Sequence, residues 1–401
     1  MSVSTAKTAI DGLIRSDAHL LSRQLQKLRE KTFPPEARKE LRRFSAPEAA
    51  RLMGVSDSYL RQLSLAKEGP SPDVGPGGRR QYTLEQISAL RRYLADRAQP
   101  EKRKQYSPHR TDDEHLQIIS ITNFKGGSGK TTSAVHLSQY LALRGYRVLA
   151  IDLDPQASLS SLLGFQPEFD LLANETLYGA VRYDDEQRPI AKIIRSTYFH
   201  GLDVIPANLE LMEFEHTTPR ILAQGGGRGE EFFFSRVRAA LDEVEENYDL
   251  VIIDCPPQLG FLTLSALCAA TSVLVTIHAE MLDVASMNQF LLMTSDLLSV
   301  VREAGGDLRF DWFRYLATRH EPNDAPQTNM LGFLRSLFGE RVLTHPALKS
   351  TAITDAGLTK QTLYEVGREN FSRNTYDRAI ESMDAVNGEI ENLIRRAWGR
   401  Q

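Results

Sequence analysis

Residues 125–132 read KGGSGKTT, between the apolar run LQIISITNF and the stretch SAVHLSQYLALRGY, so the eight residues join a strand to a helix. Peptide N–H groups and the positive end of a helix converge at such a junction and hold phosphate. Gly126, Gly127 and Gly129 let that backbone approach phosphate oxygens without a side chain in the way. Lys130 is the cation for the β and γ oxygens, the Thr131 hydroxyl is a ligand for Mg²⁺, and Ser128 and Thr132 complete the loop. Against the general pattern G-x-x-x-x-G-K-[ST], Gly129, Lys130 and Thr131 match, while Phe124 stands where the first glycine belongs. Two later segments carry carboxylates. In DLDPQ, Asp152 and Asp154 lie two apart and point the same way if the strand continues that far. In DLVIIDCPP an apolar strand ends in Asp254, the place from which a carboxylate holds Mg²⁺ through water. Each aspartate alone reads equally as a solvated strand end; their order behind a phosphate loop ties them to one site.

KGGSGKTT fits a variant phosphate loop, K-G-G-x-G-K-[ST]-[ST], known as the deviant Walker A motif, and DLDPQ fits D-x-D-P-Q in full. With these motifs the chain resembles the ParA/MinD family of ATPases. The resemblance implies a P-loop NTPase fold, ATP/ADP and Mg²⁺ as cofactors, and weak hydrolysis of ATP stimulated by DNA and a partner. It further implies that Lys125 reaches across a homodimer to the partner's nucleotide, that Asp154 orients the attacking water, and that Asp152 supports the Mg²⁺ shell of Thr131 and Asp254. Lys125, Lys130 and Asp154 are then the catalytic set. The residues alone leave a second reading of Lys125, as lining its own phosphate site. Contacts to the base fall near ATRHEPND, whose pattern assigns no residue.

Positioning these groups requires strands that end together. LQIISIT, YRVLAIDL, LDVIP, YDLVIID, SVLVTIH and FRYLAT are mostly continuous apolar runs with helical stretches between them, the pattern of strands covered on both faces. The fold class is therefore α/β, a mostly parallel sheet over residues 106–401, preceded by an all-α, winged helix-turn-helix region.

That front region differs in charge. Residues 1–110 hold 22 Lys and Arg against 12 Asp and Glu, whereas the whole chain has a net charge of −4. Ile14, Ala18, Leu21, Leu25 and Leu28 form a narrow helical stripe within residues 1–35, which either packs on its own domain or serves as a dimerisation arm. Residues 36–105 then spell two short helices around Gly54, with Ser45 and Glu48 as a capping pair and Ser56 capping the second helix. The Pro- and Gly-dense loop GPSPDVGPGGRRQY follows. This order resembles a winged helix-turn-helix of the MerR type, which implies Ser56, Asp57, Ser58, Tyr59, Arg61 and Gln62 near bases or phosphates and Arg79 and Arg80 on phosphates. QPEKRKQYSPHRTDDEH reads as a linker.

Other function classes find less support. Cys255 and Cys268 form no disulfide framework and are assigned no chemistry. No uncharged stretch nears the ~20 residues that span a bilayer, and the first residues lack the apolar centre of a signal peptide, so a cytoplasmic, nucleoid-associated protein is expected. In the tail NGEIENLIRRAWGRQ, Ile390, Leu393, Ile394 and Trp398 share one face, which either docks on the domain or binds lipid. A helix-turn-helix ahead of a deviant Walker ATPase in about 400 residues resembles the large plasmid partition proteins of the ParA family, and most of all those of repABC replication and partition systems. That resemblance implies a homodimer, a ParB/RepB-type centromere-binding partner, repression of an operator, and binding to nucleoid DNA without sequence preference. Lys349, Arg373 and Arg378 are candidates for the last contact, or ordinary solvated charges.

Overall fold

The computed structural model describes residues 10–32, 39–225, 232–306 and 308–400. Two compact units divide it, residues 1–40 and 41–401. Within the first, helix α1 (Ile10–Thr32) carries exposed Ile14 and Leu21; the side chains of Leu25 and Leu28 lie outside the described set.

The second unit opens with strand β1 (Phe44–Ser45) and helix α2 (Ala46–Met53). The Glu48 carboxylate accepts from the Ser45 backbone N–H at 2.9 Å and from its hydroxyl at 2.8 Å. Gly54 ends α2 at φ +68°, in the left-handed region that only glycine enters freely. Ser56 then caps helix α3 (Asp57–Ala66) by accepting from the Tyr59 N–H at 3.2 Å. Strands β2 (Asp73–Val74) and β3 (Arg80–Tyr82) follow and pair in the order β1-β3-β2, antiparallel throughout. A Thr83–Gln86 capping box starts helix α4 (Leu84–Arg97), and helix α5 (Pro100–Tyr106) lies within the stretch read as a linker.

Every apolar run read as a strand forms one. Strands β4 (Gln117–Thr122), β5 (Val148–Asp152), β6 (Arg195–Ser196), β7 (Leu202–Ile205), β8 (Leu250–Asp254), β9 (Ser272–His278) and β10 (Trp312–Thr318) form one sheet in the order β10-β9-β4-β8-β5-β7-β6. All its pairings among the described residues are parallel except β6 with β7. Strand β6 has only two residues, too few to carry a periodicity in the sequence.

Alternate residues enter opposite layers, as the pleat requires. Ile119, Ile121, Val148 and Ala150 face the layer that contains Leu137 and Leu141 of helix α6 (Lys130–Arg144), whereas Ile118, Leu149 and Ile151 face the layer of helix Phe261–Ala269. Phe44, Leu60, Ile87 and Leu90 of the front module belong to the same core cluster as α6. The front module therefore shares one interior with the α6 side of the sheet.

The terminal helix Arg373–Ala397 settles the two readings of the tail. Ile390, Leu393, Ile394 and Trp398 are buried in that interior, and the Trp398 indole N–H donates to the His115 carbonyl at 2.8 Å. Among the described residues one helix, Met281–Glu303, is long and apolar enough to cross a membrane by length and composition, although Asp283 and Asp296 interrupt it. Removing a fully buried aliphatic side chain loses its transfer energy and leaves a cavity. Ile390→Ala is expected to lower the unfolding free energy by about 2–5 kcal/mol, read from urea denaturation.

Candidate functional site

Five parallel strands, β4, β5, β8, β9 and β10, point their carboxyl ends at one crevice, the place where open α/β sheets bind ligands. The first of them runs into the glycine loop, and α6 leaves it. Gly127 at φ +76° and Gly129 at φ +86° need the conformation that side chains resist. At Gly126 and Gly127 a Cβ would meet nothing within 4 Å, so the loop faces open space, whereas at Gly129 it would lie 3.2 Å from Thr318 Cβ.

Neighbouring strands clamp the loop from behind. Asn123 Nδ2 donates to the Thr276 carbonyl at 2.5 Å, and Asn123 Oδ1 accepts from the Lys125 N–H at 3.1 Å. The Ser128 hydroxyl pairs with that of Thr276 at 3.0 Å, and the Thr318 hydroxyl donates to the Ser128 carbonyl at 2.7 Å. Ser128 thus looks back into the protein. Phe124, the residue out of pattern, stacks on Phe290 with ring centroids 6.3 Å apart. Arg319, at φ +52°, brings Nη1 to 3.4 Å from the Gly127 carbonyl. A non-glycine residue seldom holds that conformation, and such strain gathers at functional sites.

The acids lie where the register puts them. Asp152 and Asp254 are paired residues on adjacent strands β5 and β8, and both are buried. Asp152 Oδ2 accepts from Ser160 N at 2.8 Å and Oγ at 2.7 Å, and Oδ1 accepts from the Asp154 N–H at 3.1 Å. Burial still pushes its carboxyl up to about 6 against those bonds. Among the described residues, neither oxygen of Asp254 has a hydrogen-bond partner. Burial, with the Asp152 charge beside it, lifts Asp254 well above the usual carboxylate range, and Thr131 and Lys130 offset only part of the rise. Lys130, 6% exposed, is lowered by burial and sustained by Asp254, and its Nζ donates to the Lys125 carbonyl at 3.3 Å.

An unsatisfied buried carboxylate beside a hydroxyl and an ammonium lacks a cation, and an open glycine loop next to it lacks an anion. The donor set fits a divalent ion of the Mg²⁺ type held against phosphate. A cavity of about 510 Å³ adjoins the glycine loop, with Lys130, Thr131, Thr132 and Asp154 in its wall. Thr318 and Arg319, within ATRHEPND, and Ala347, Leu348, Lys349, Ser350, Ile353 and Thr354 also line it. Residues 347–354 carry no motif, and only their place after β10 connects them to the site. Lys349 is among the lining residues and pairs with Glu321 at 2.8 Å, while Arg373 and Arg378 are exposed elsewhere.

Lys125 turns away from the loop. Its ammonium pairs with Asp283, buried in the first turn of helix Met281–Glu303, and Asp283 also lies 3.4 Å from His278 Nδ1. No spacing in the sequence marks Asp283, 158 positions later.

Residues 116–303 match the family model described as an AAA domain. Over 391 residues the chain is 56% identical to replication protein A of Rhizobium rhizogenes, spanning 98% of this chain and 96% of that one. It is 31% identical over 245 residues to the chromosome partitioning protein ParA of Caulobacter vibrioides, spanning 60% of this chain and 84% of that one. The chain belongs to the ParA-type partition ATPases. A solved structure described as a partition protein, 18% identical, aligns with 96% of this ParA-type chain and 99% of its own length at a TM-score of 0.64, a likeness of fold.

In the front module of this ParA-type protein, Ser56, Ser58, Tyr59, Arg61 and Gln62 are exposed along one side of α3, with Leu60 and Leu63 buried beneath. Arg61, Arg79 and Arg80 line one shallow depression of about 260 Å³ with Asp57. Cys255 is fully buried beside Asp254, its thiol pushed up to about 12 by burial, and Cys268 is free as well.

The helix behind the loop contains a pH-sensitive residue. His136 is buried; its Nδ1 sits 2.7 Å from the Thr132 carbonyl, and its Nε2 accepts from the Leu363 N–H at 3.3 Å. Burial lowers it to about 4. Between about 4 and 6.5 the unfolded chain therefore binds the extra proton, so stability falls as pH drops through that window and is fully present above it. Subtracting the profile of His136→Gln from that of the native chain, by denaturant unfolding from pH 4 to 7, should leave a rise on the order of 3 kcal/mol.

Proposed function

We propose that this chain is an ATP- and Mg²⁺-dependent partition ATPase that works as a homodimer on DNA. The observation that carries the reading is the unsatisfied buried Asp254 carboxylate beside Thr131 and Lys130, which follow an open glycine loop. Bound ATP with its Mg²⁺ supplies the scissile phosphoanhydride bond. The N–H groups from Gly126 to Thr132 hold phosphate oxygens, and Lys130 neutralises the charge that moves to the leaving group. Thr131 and Asp254 hold the ion, with Asp152, braced by Ser160, as its outer support. Asp154 stands on the loop after β5, in the wall of the cavity, and orients the water.

Lys125 is the signature lysine of the deviant loop, and its catalytic part in this reading is in trans. Its pairing with Asp283 is then the resting arrangement of a single chain, exchanged for the partner's nucleotide when two chains meet across ATP. Hydrolysis, weak alone and stimulated by DNA and a ParB/RepB-type centromere-binding protein, releases the dimer from nucleoid DNA.

We assign residues 1–35 to an arm, 36–105 to an operator-binding winged helix-turn-helix that represses the chain's own operon, and 106–401 to the ATPase. The exposed face of α3 offers Ser56, Ser58, Tyr59, Arg61 and Gln62 to a groove, and Arg79 and Arg80 flank it as phosphate contacts. Because the module shares its core with α6, point substitutions test it better than truncation.

Two measurements decide the reading. Asp154→Ala should retain Mg·ATP and accumulate dimers by light scattering while turnover falls about 10²–10⁴-fold; unchanged turnover overturns the ATPase assignment, and loss of turnover without dimers leaves a nucleotide-switched repressor. Operator binding, followed with no nucleotide, with ADP and with a nonhydrolysable ATP analogue, should weaken in Arg61→Ala, Arg79→Ala and Arg80→Ala. Every substitution that deprives a DNA phosphate of its cation should reduce the salt slope by about 1.

A further inference from the structure

The helix that starts at the phosphate loop ends against the front module. Gly145, at φ +99°, caps it by donating to the Ala142 carbonyl at 3.0 Å, but the Leu143 carbonyl is taken by Arg91 of α4. Arg91 Nη2 donates there at 2.7 Å and to the Leu52 carbonyl of α2 at 2.5 Å. Arg91 is 3% exposed, and among the described residues its Nη1 has no partner and no carboxylate pairs with it. Glu391 is held by Tyr140, Tyr146 and Arg144, and Asp249 by His109, Arg110 and Arg147. Burial and the like charge of Arg144 lower the Arg91 guanidinium to about 9. The Glu391 charge offsets part of that fall without bonding to Arg91, and a buried cation with an idle donor and no bonded counter-ion is unfavourable unless something pairs with it.

The wall of a cavity of about 220 Å³ contains this residue, together with Arg92, Arg147, His109, His200 and Gly145. Arg147 is engaged by Asp249 and the Glu246 carbonyl, and His109 by Asp249. Among the described residues, the side chains of Arg92 and His200 take part in no hydrogen bond or ion pair. Gly145 keeps the space open, since a Cβ there would lie 2.7 Å from Arg91 Nη1. Volume below the roughly 300 Å³ of ordinary ligand pockets calls for a small occupant.

We propose that this cavity is a second anion site, which binds a small phosphate-bearing molecule through Arg91 Nη1 and Arg92, with His200 at its edge. Guanidinium forks match phosphate oxygens, and the anion provides the bonded partner that Arg91 Nη1 lacks. Because Arg91 ties α2 and α4 to the end of α6, the occupied site stiffens the joint between the front module and the ATPase. A backbone phosphate of DNA offers the same chemistry, but the idle donor is buried in a concavity, which favours a small molecule.

The full chain is saturated with Mg·ADP, so that the phosphate loop is filled, and titrated with inorganic phosphate while its melting temperature is followed. Phosphate should raise the melting temperature of the native chain and of Lys130→Ala alike. Arg92→Glu should weaken the midpoint about tenfold or more, and His200→Ala by less. A response abolished in Lys130→Ala and kept in Arg92→Glu places the anion in the phosphate loop and overturns the proposal, as does no response in the native chain. If a short DNA duplex, and not phosphate, is the ligand weakened by Arg92→Glu, the cavity is a DNA contact and the small-molecule assignment falls.

Discussion

Two buried carboxylates stand side by side at the ends of β5 and β8, and the rest of the site is arranged around the repulsion between them. Parallel register makes Asp152 and Asp254 opposite partners, and a slip of one residue would turn Asp254 to the other layer. Their environments then diverge. Ser160 and the Asp154 N–H saturate Asp152, while Asp254 keeps both oxygens idle in the interior. An isolated buried carboxylate is tolerated only where protonation, an ammonium or a metal ion relieves it. Lys130 supplies part of that relief, but its own ammonium is buried and lowered. Carboxylate and lysine thus remain poised for a ligand that brings both a cation and an anion.

The loop between them is firm where it touches the sheet and open where it faces outward. Thr276 and Thr318, from β9 and β10, bond to Asn123 and Ser128 and fix the turn from behind. Gly126 and Gly127 meet nothing in front. A loop held this way needs little rearrangement to take an anion on its open side, as the proposed function requires. Lys125, at the start of the same loop, is fixed to Asp283 instead, so the two lysines of the motif have different partners.

How much of this could be read beforehand follows from the range of each interaction. Strands β4, β5, β7, β8, β9 and β10 were legible because burial on both faces leaves continuous apolar runs. The caps at Ser45, Gly54 and Ser56 were legible because their partners lie within four residues. The motif residues of the phosphate loop and its acids were legible as motifs, yet nothing local showed that Ser160 would hold Asp152 or that Asp283 would hold Lys125. Thr318 and Arg319 fall in ATRHEPND, a stretch whose pattern assigns no single residue, and the segment that follows β10 to line the cavity carries no motif at all. Strand β6 was too short to leave a pattern, and helix α5 was hidden by the charge of its stretch.

Helix α6 joins the loop to the front module without a break, from Lys130 to Arg144. Fifteen residues at 1.5 Å each make a strut of roughly 22 Å, so a tilt of about 5° at its first turn would carry its far end by about 2 Å. Close-packed interiors do not absorb a displacement of that size smoothly, and they answer it by shifting from one packing to another. The last turn of the strut is gripped by Arg91. A small rotation at the glycine loop would therefore be felt by α2 and α4 as a mechanical push, before any change in their own sequence neighbourhood.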